Sequence, residues 1–379
     1  MTTAGRPVRV LQLTASLAIG GAERMILGLA QGIDRARFEL RVCALYPSSA
    51  DDFSAAADDV GVPVHELTPH RFYDPRTVRS IAALIRDHEI DVVHTHVLDA
   101  DVAGQLAGRL TGTPVVTTLH SVPDSYERQP RGRHWPQRLT VRRLARHLVC
   151  VSDTALDRFV EDWGVPTDRL RTIHPAVPLE PFLAVPAGPP RGPASDGPVV
   201  TAVGRLVPAK AQHLLIEAAP AVLDAHPGAR FVIVGPGPRE AELGALASSL
   251  GIADRVELPG ARHDIATVLA QTDVFALTSE WEGLPISAIE AMAAARPVVL
   301  TDVGGCRALV DDGRAGVVVP TGDSTAIADA LVDLLGDEER RRSLGEAARR
   351  RVVSEFSLDR MTRSYESLYD EVVNRPGSR

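Results

Sequence analysis

The stretch Ala276–Gly305, "ALTSEWEGLPISAIEAMAAARPVVLTDVGG", decides the fold. It opens on the end of an apolar run, "VFALTS", and closes on another, "PVVLTD". Between them Ile286, Ile289, Met292 and Ala293 recur at helical spacing, and Pro285 suits the first helical turn. Buried strand, helix, buried strand is the signature of a parallel βαβ unit. Two carboxylates interrupt it. Glu282 lies in the loop before the helix, and Glu290 lies inside the helix among apolar neighbours, where a carboxylate needs partners. A carboxylate can accept from two adjacent hydroxyls, as on a ribose; the loop carboxylate can hold a second set, as on a sugar.

Outward from this unit the same alternation continues. "VVTAVGRL", "ARFVIVGPG", "VELPG" and "GVVVP" read as further strands with helices between them. Upstream, "VRVLQL", "FELRVCAL", "IDVVHTH", "PVVTTLH" and "HLVCVS" form a second series. The first of these leads into a helix with Ala22, Met25, Ile26, Leu29, Ala30 and Ile33 on one face. The two series are separated by "PLEPFLAVPAGPPRGPASDGP", which has no periodicity. The expectation is an α/β protein of two Rossmann-like, doubly wound domains: residues 1–180, a linker at 181–198, and residues 199–355. In such sheets ligands sit at the carboxyl ends of the strands, and a cleft between domains is the default site.

Composition narrows the function. The chain has 379 residues, 45% of them apolar, enough for two cores. A net charge of −8 speaks against nucleic-acid binding. Cys43, Cys150 and Cys306 form neither a CxxC pair nor a disulfide framework, so a reducing, cytoplasmic setting is expected. The opening "MTTAGRPVRVLQL" lacks the apolar core of a secretion signal, and no apolar run is long enough to cross a bilayer.

Further residues carry chemistry by position. Gly20 and Gly21 stand between the first strand and the first helix, where helix N–H groups and close backbone approach suit phosphate. The alternative is a plain tight turn. Arg205 and Lys210, after the strand "VVTAV", can clamp an anion, the first as a planar fork and the second as a point charge. The alternative is a pair of surface cations. "HTHVLDAD" puts His94, His96, Asp99 and Asp101 at a strand end. No third metal ligand is evident there, and lining an acceptor pocket is the preferred role. Tyr126–His147 holds seven arginines against one acid, Glu127. It reads either as a solvated helix face or as a docking surface for an acidic acceptor or anionic lipid.

Together the glycine loop, the Arg205–Lys210 cations, Glu282 with Glu290, and the ordered motifs "VGRL", "VGPGP", "DVFALTS", "EGLPISAIEAMA" and "TDVGG" resemble the retaining glycosyltransferases of family GT4, with the GT-B fold. The resemblance covers nearly the whole chain. It implies a nucleotide-sugar donor, an acceptor hydroxyl on a glycan, lipid-linked molecule or small metabolite, and no metal or cofactor. By the same resemblance Arg205 and Lys210 bind the diphosphate, Glu290 the ribose and Glu282 the donor sugar. Gly20, Gly21, Gly283, Leu284 and Pro285 border the donor, and His120 lies near its sugar. Residues 356–379 form a helix that crosses back to the first domain. The chain departs from the family at His174-Pro175-Ala176 and at Ala308, where a glutamate is usual. A nucleotide-sugar epimerase or hydrolase of this fold, and a non-catalytic binding homologue, are the competing classes. A cytoplasmic enzyme is the expected setting, with peripheral docking at the inner membrane face following only from the docking-surface reading of the basic segment.

Overall fold

The computed structural model describes residues 6–17, 20–46, 52–68, 74–123, 125, 131–188 and 197–374. The chain separates into two compact units: one runs to Val177 and takes up the chain again at Leu358, and the other spans Pro178–Ser357.

The first unit is built on seven parallel strands: β1 (Val8–Thr14), β2 (Phe38–Ala44), β3 (Val64–Glu66), β4 (Val92–His96), β5 (Val115–Leu119), β6 (His147–Cys150) and β7 (Leu170–Thr172). Their order is β3-β2-β1-β4-β5-β6-β7, so the strand order reverses between β1 and β4. The central strands β4 and β5 are buried along their whole length, as expected for a sheet covered on both faces. The short edge strands β3 and β7, not anticipated from the sequence, are only partly covered. The last helix, Leu358–Asn374, packs in this unit, with Met361, Tyr365, Leu368, Tyr369 and Val372 buried among the residues of β1, β2 and the helix Gly21–Gly32. The two helices approach closely at Gly32, where an added Cβ would lie 2.5 Å from Thr362 Oγ1.

The second unit holds six parallel strands: β8 (Val199–Val203), β9 (Arg230–Val234), β10 (Val256–Glu257), β11 (Val274–Leu277), β12 (Val298–Thr301) and β13 (Val317–Val319). Their order is β10-β9-β8-β11-β12-β13, with the reversal between β8 and β11. The first part of the stretch expected to be a linker is integral to this unit. Residues Glu180–Leu183 are helical and Phe182 is buried. Arg349 Nη2 donates to Val185 O at 2.5 Å, and Arg296 donates to Pro186 O at 2.7 Å and Gly188 O at 2.6 Å. Carbonyls without a regular partner are thereby satisfied by two arginines of the unit's own core.

Candidate functional site

In the second unit every strand from β8 to β12 sends its following loop to the same, carboxyl edge, and the loops are bonded to one another. Leu206 N donates to Pro236 O at 2.8 Å, joining the loops after β8 and β9. Glu280 N donates to Ala209 O at 2.9 Å and Thr278 Oγ1 to Lys210 O at 3.1 Å, joining those after β8 and β11 across the point where strand order reverses. Gly305 N donates to Gly283 O at 2.9 Å, joining those after β11 and β12. Ligands of open α/β sheets bind where strand order reverses.

The charged side chains of this edge are arranged around one contact. Lys210 Nζ donates to Glu282 Oε1 at 2.5 Å, and Ser279 Oγ donates to the same oxygen at 2.7 Å. Both charged groups are largely covered: 23% of the Lys210 side chain and 10% of the Glu282 side chain are exposed. The sequence separates anion-clamp and sugar-binding candidates; the structure brings Lys210 and Glu282 into one ion pair. Arg205 is exposed and makes no ion pair among the described residues. It stands at the head of the turn that ends in Lys210, its carbonyl accepting from Gln212 Nε2 at 2.9 Å. Ala211, next in the chain, has a left-handed backbone (φ 43°), a conformation rarely adopted by a residue with a side chain.

Gly283, Leu284 and Pro285 are buried and lead into the helix Ile286–Ala293, and Glu290 on that helix is 2% exposed. Ala308, the departure after "DVGG", lies within the short helix Cys306–Leu309, and its carbonyl accepts from Arg351 Nη2 at 2.7 Å. Ser279 was not picked out from the sequence. Its position three residues before Glu282, in the turn after a buried strand, was the available signal.

In the first unit, Gly20 precedes the helix Gly21–Gly32. That helix start is already met by a carboxylate: Gly20 N donates to Glu23 Oε2 at 3.1 Å, and Thr14 Oγ1 to Glu23 Oε1 at 3.0 Å. A negative charge in the first helical turn is favourable there. His120 follows β5 and is partly exposed. Its Nε2 lies 2.9 Å from His96 Nδ1, and desolvation pushes its pKa down to about 4, so the ring is neutral.

His94 and His96 do not line a pocket, contrary to the expectation. Both are fully buried side chains of β4 and hydrogen-bonded within the core, with desolvation holding their pKa values well below the ordinary range. Asp101 is likewise fully buried, accepting from Gln137 Nε2 at 2.8 Å. Among the described residues no three His, Cys, Asp or Glu side chains are grouped to hold a metal ion.

Residues 126–130 of the basic segment lie outside the described residues. From Arg131 to Arg143 the segment is helical. Gln137, Thr140 and Val141 are buried, whereas Trp135 is 62% exposed and Leu139 is 42% exposed. The face is therefore mixed, neither wholly solvated nor wholly basic. Cys43, Cys150 and Cys306 are unpaired and buried, with desolvation raising each thiol's pKa. No helix among the described residues is long and apolar enough to cross a membrane.

A family model described as Glycosyl transferases group 1 matches residues 189–351, and one described as Glycosyltransferase Family 4 matches residues 19–181. The chain is 30% identical over 397 residues to the 2-deoxystreptamine N-acetyl-D-glucosaminyltransferase of Streptomyces fradiae, covering 96% of this chain and 90% of that protein. It is 32% identical over 305 residues to the D-inositol 3-phosphate glycosyltransferase of Saccharomonospora viridis, covering 75% of this chain and 70% of that protein. Among solved structures, Anabaena HepE in complex with UDP matches with a TM-score of 0.82 at 22% identity, covering 96% of this chain and 100% of that one. This last likeness speaks for the fold, two Rossmann-like units of the GT-B class. The chain belongs to the group 1 glycosyltransferases of family 4 and is a sugar-transferring enzyme.

Proposed function

We propose that the enzyme transfers a sugar, with retention of configuration and without a metal ion or cofactor, from a nucleoside-diphosphate sugar to an acceptor hydroxyl. The observation that carries this reading is the Lys210–Glu282 pair, with the unpaired Arg205 guanidinium on the same turn. A diphosphate entering this edge offers Lys210 a stronger anion than Glu282 does. Lys210 and Arg205 then hold the phosphates, and Glu282 is released toward the sugar hydroxyls. Glu290 holds the ribose, and the backbone of Gly283, Leu284 and Pro285 borders the sugar and diphosphate. In the first unit Gly20 and Gly21 border the phosphates and His120 the sugar.

As the anomeric carbon–oxygen bond breaks, its electron pair goes to the β-phosphate oxygen. The two cations stabilise that charge, which is the largest single contribution a site of this kind makes. The acceptor oxygen bonds to the anomeric carbon on the same face, and its proton passes to the leaving phosphate oxygen. No separate protein nucleophile is required. The two relatives named above act, by their names, on 2-deoxystreptamine and on inositol 3-phosphate. Small polar acceptors bearing hydroxyls are thus one class this reading accommodates, beside glycans and lipid-linked acceptors.

The test is calorimetric titration with UDP, GDP, ADP and dTDP in the presence of EDTA, using wild type and Lys210→Ala. Binding of one nucleotide at micromolar order, lost in the variant, is the expected result, and Lys210→Ala or Arg205→Ala lowers turnover about 100-fold or more. Failure of all four nucleotides to bind would sink the reading in favour of a non-catalytic homologue; turnover of donor with no effect of any acceptor would favour an epimerase or hydrolase. We assign acidic-acceptor or anionic-lipid contact to the helix Arg131–Arg143, supported by its exposed Trp135 and by Arg142 and Arg143, which make no ion pair among the described residues. Sedimentation with phosphatidylglycerol vesicles but not phosphatidylcholine vesicles is the lipid outcome; with neither, the lipid contact is wrong.

A further inference from the structure

Six hydrogen bonds run in series from His120 into the core of the first unit. His120 Nε2 lies 2.9 Å from His96 Nδ1, and His96 Nε2 lies 2.7 Å from Gln12 Oε1. Gln12 Nε2 donates to the Tyr369 hydroxyl at 3.0 Å, which lies 2.7 Å from His94 Nδ1. His94 Nε2 lies 2.7 Å from Thr118 Oγ1, which lies 3.0 Å from the Tyr365 hydroxyl. A last, weaker contact takes the Tyr365 hydroxyl to Met25 Sδ at 3.9 Å.

Each ring nitrogen and hydroxyl in this series has one neighbour on each side, so each proton can be placed. A thioether only accepts. Tyr365 therefore donates to Met25, Thr118 to Tyr365, His94 Nε2–H to Thr118, and Tyr369 to His94 Nδ1. Gln12 then donates its amide proton to Tyr369 and accepts with Oε1 from His96 Nε2–H. His96 Nδ1 is left as an acceptor, and it can take only the Nε2–H of His120. The polarity chosen at Met25 thus reaches His120 unbroken. His120 is left with Nδ1 as its free acceptor, making no hydrogen bond among the described residues. Among the described residues, no side chain of the loop around His120 makes a hydrogen bond to its ring.

We propose that Tyr369, on the last helix of the chain, is a positioning residue for His120: through Gln12 and His96 it holds the ring as the neutral tautomer protonated on Nε2, so that Nδ1 faces the ligand as an acceptor for a donor-sugar hydroxyl. The proposal rests on the reading of His120 as a donor-side residue. It deepens that reading by naming what sets the chemistry of the ring. Without the Tyr369 hydroxyl, Gln12 has an unmatched group toward the helix in either amide orientation. The orientations become comparable, and so do the two tautomers of His120.

The test is the 15N–1H spectrum of histidine-labelled full-length protein at neutral pH, with the His120 signals assigned by their loss in His120→Ala. Wild type is expected to show the Nε2–H tautomer alone, and Tyr369→Phe a mixture of both. Gln12→Leu, whose side chain neither donates nor accepts, cuts the series on the other side of Tyr369, gives the same mixture and serves if the tyrosine variant does not fold. A single Nε2–H tautomer retained in either folded variant, or a mixture already present in wild type, overturns the relay. Hydrolysis of UDP-glucose is followed in the same proteins. Tyr369→Phe is expected to slow it severalfold, with no further slowing when combined with His120→Ala, as for residues acting through one another. A His120→Ala enzyme as fast as wild type would overturn the donor-side reading of His120 while leaving the tautomer result standing.

Discussion

Lys210 and Glu282 neutralise one another, and this sets what each can do when a ligand arrives. The net contribution of an ion pair with both partners largely covered is modest, because desolvating the two charges offsets much of their attraction. It is small enough for a diphosphate to displace Glu282 and large enough to discriminate against weaker anions. Glu282→Gln should therefore bind UDP severalfold more tightly than wild type in calorimetry, since Lys210 is no longer shared, while losing at least about tenfold in turnover. Weaker UDP binding in that variant would mean the carboxylate helps to organise the phosphate site instead of competing for it. A second buried carboxylate acts on stability. Burial raises the Asp101 pKa from 3.8 to about 7, against hydrogen bonds from Thr95 and Gln137 that lower it. The folded state thus holds the proton more tightly than the unfolded chain does. Its stabilising contribution is complete below about pH 4 and lost as pH rises through about 7. At about 1.4 kcal/mol per unit, the ionised group at pH 8 carries a penalty of about 4 kcal/mol. Asp101→Asn should raise the melting temperature at pH 8, and the gain over wild type should shrink steadily toward pH 4. An equal gain at both pH values would show that the ionisation of Asp101 is not its cause.

Loops hold the site together more than helices or strands do, and glycine decides how closely they can pack. Gly304 has φ 51°, and an added Cβ would stand 2.0 Å from the Glu282 carbonyl oxygen and 2.9 Å from that of Gly283. "DVGG" is thus the wedge that sets the height of the Glu282 loop. Gly251 also has a positive φ, 71°, but nothing lies within 4 Å of its added Cβ. Gly251→Ala should cost about 1 kcal/mol, the left-handed penalty alone. Gly304→Ala adds the clash, for about 3 kcal/mol in chemical denaturation, and loses Lys210-dependent nucleotide binding. Similar costs for both would remove the wedge. At this scale the sequence was legible where physics is local. The continuous apolar runs of β4, β5, β8, β9, β11 and β12 announce buried parallel strands. The edge strands "VHE" and "LRT" do not, because half-covered three-residue segments leave no periodicity. Glu290 is legible as a charge among apolar neighbours, Glu282 as a carboxylate in the loop before that helix, and Lys210 as a cation after a buried strand. The pairing of Lys210 with Glu282 is not, because the two are 72 residues apart on loops after different strands. Gln12 and Tyr369 were illegible for the same reason at a separation of 357 residues. Both look like ordinary positions of a strand and an amphipathic helix.

The two units differ in how their cores are assembled from the chain. The second, Pro178–Ser357, is continuous, and its core is closed by its own helices, from Leu214 to Leu335. The first is not. Tyr365, Tyr369, Leu368, Met361 and Val372 come from the far end of the chain and are at most 2% exposed among the side chains of β1, β2 and the helix Gly21–Gly32. Deleting them would remove two tyrosines, two aliphatic side chains and a methionine from that core. At about 1.5–3 kcal/mol for each buried apolar side chain, the loss is comparable to the whole stability of an ordinary domain. It would also leave Gln12 and His94 without the Tyr369 hydroxyl in an otherwise buried network. A chain ending at Ser357 should therefore lose the cooperative calorimetric transition of the first unit while keeping that of the second. A fragment consisting of Pro178–Ser357 should melt at the same temperature as that remaining transition. Nucleotide binding is the more telling readout. If Arg205, Lys210 and Glu290 carry the donor affinity as proposed, the fragment retains most of the UDP affinity of the whole enzyme and still loses it on Lys210→Ala. A folded fragment with no affinity would place an indispensable part of the nucleotide site in the first unit, at Gly20 and Gly21, where the Glu23 carboxylate would then have to yield its helix N-terminus to a phosphate.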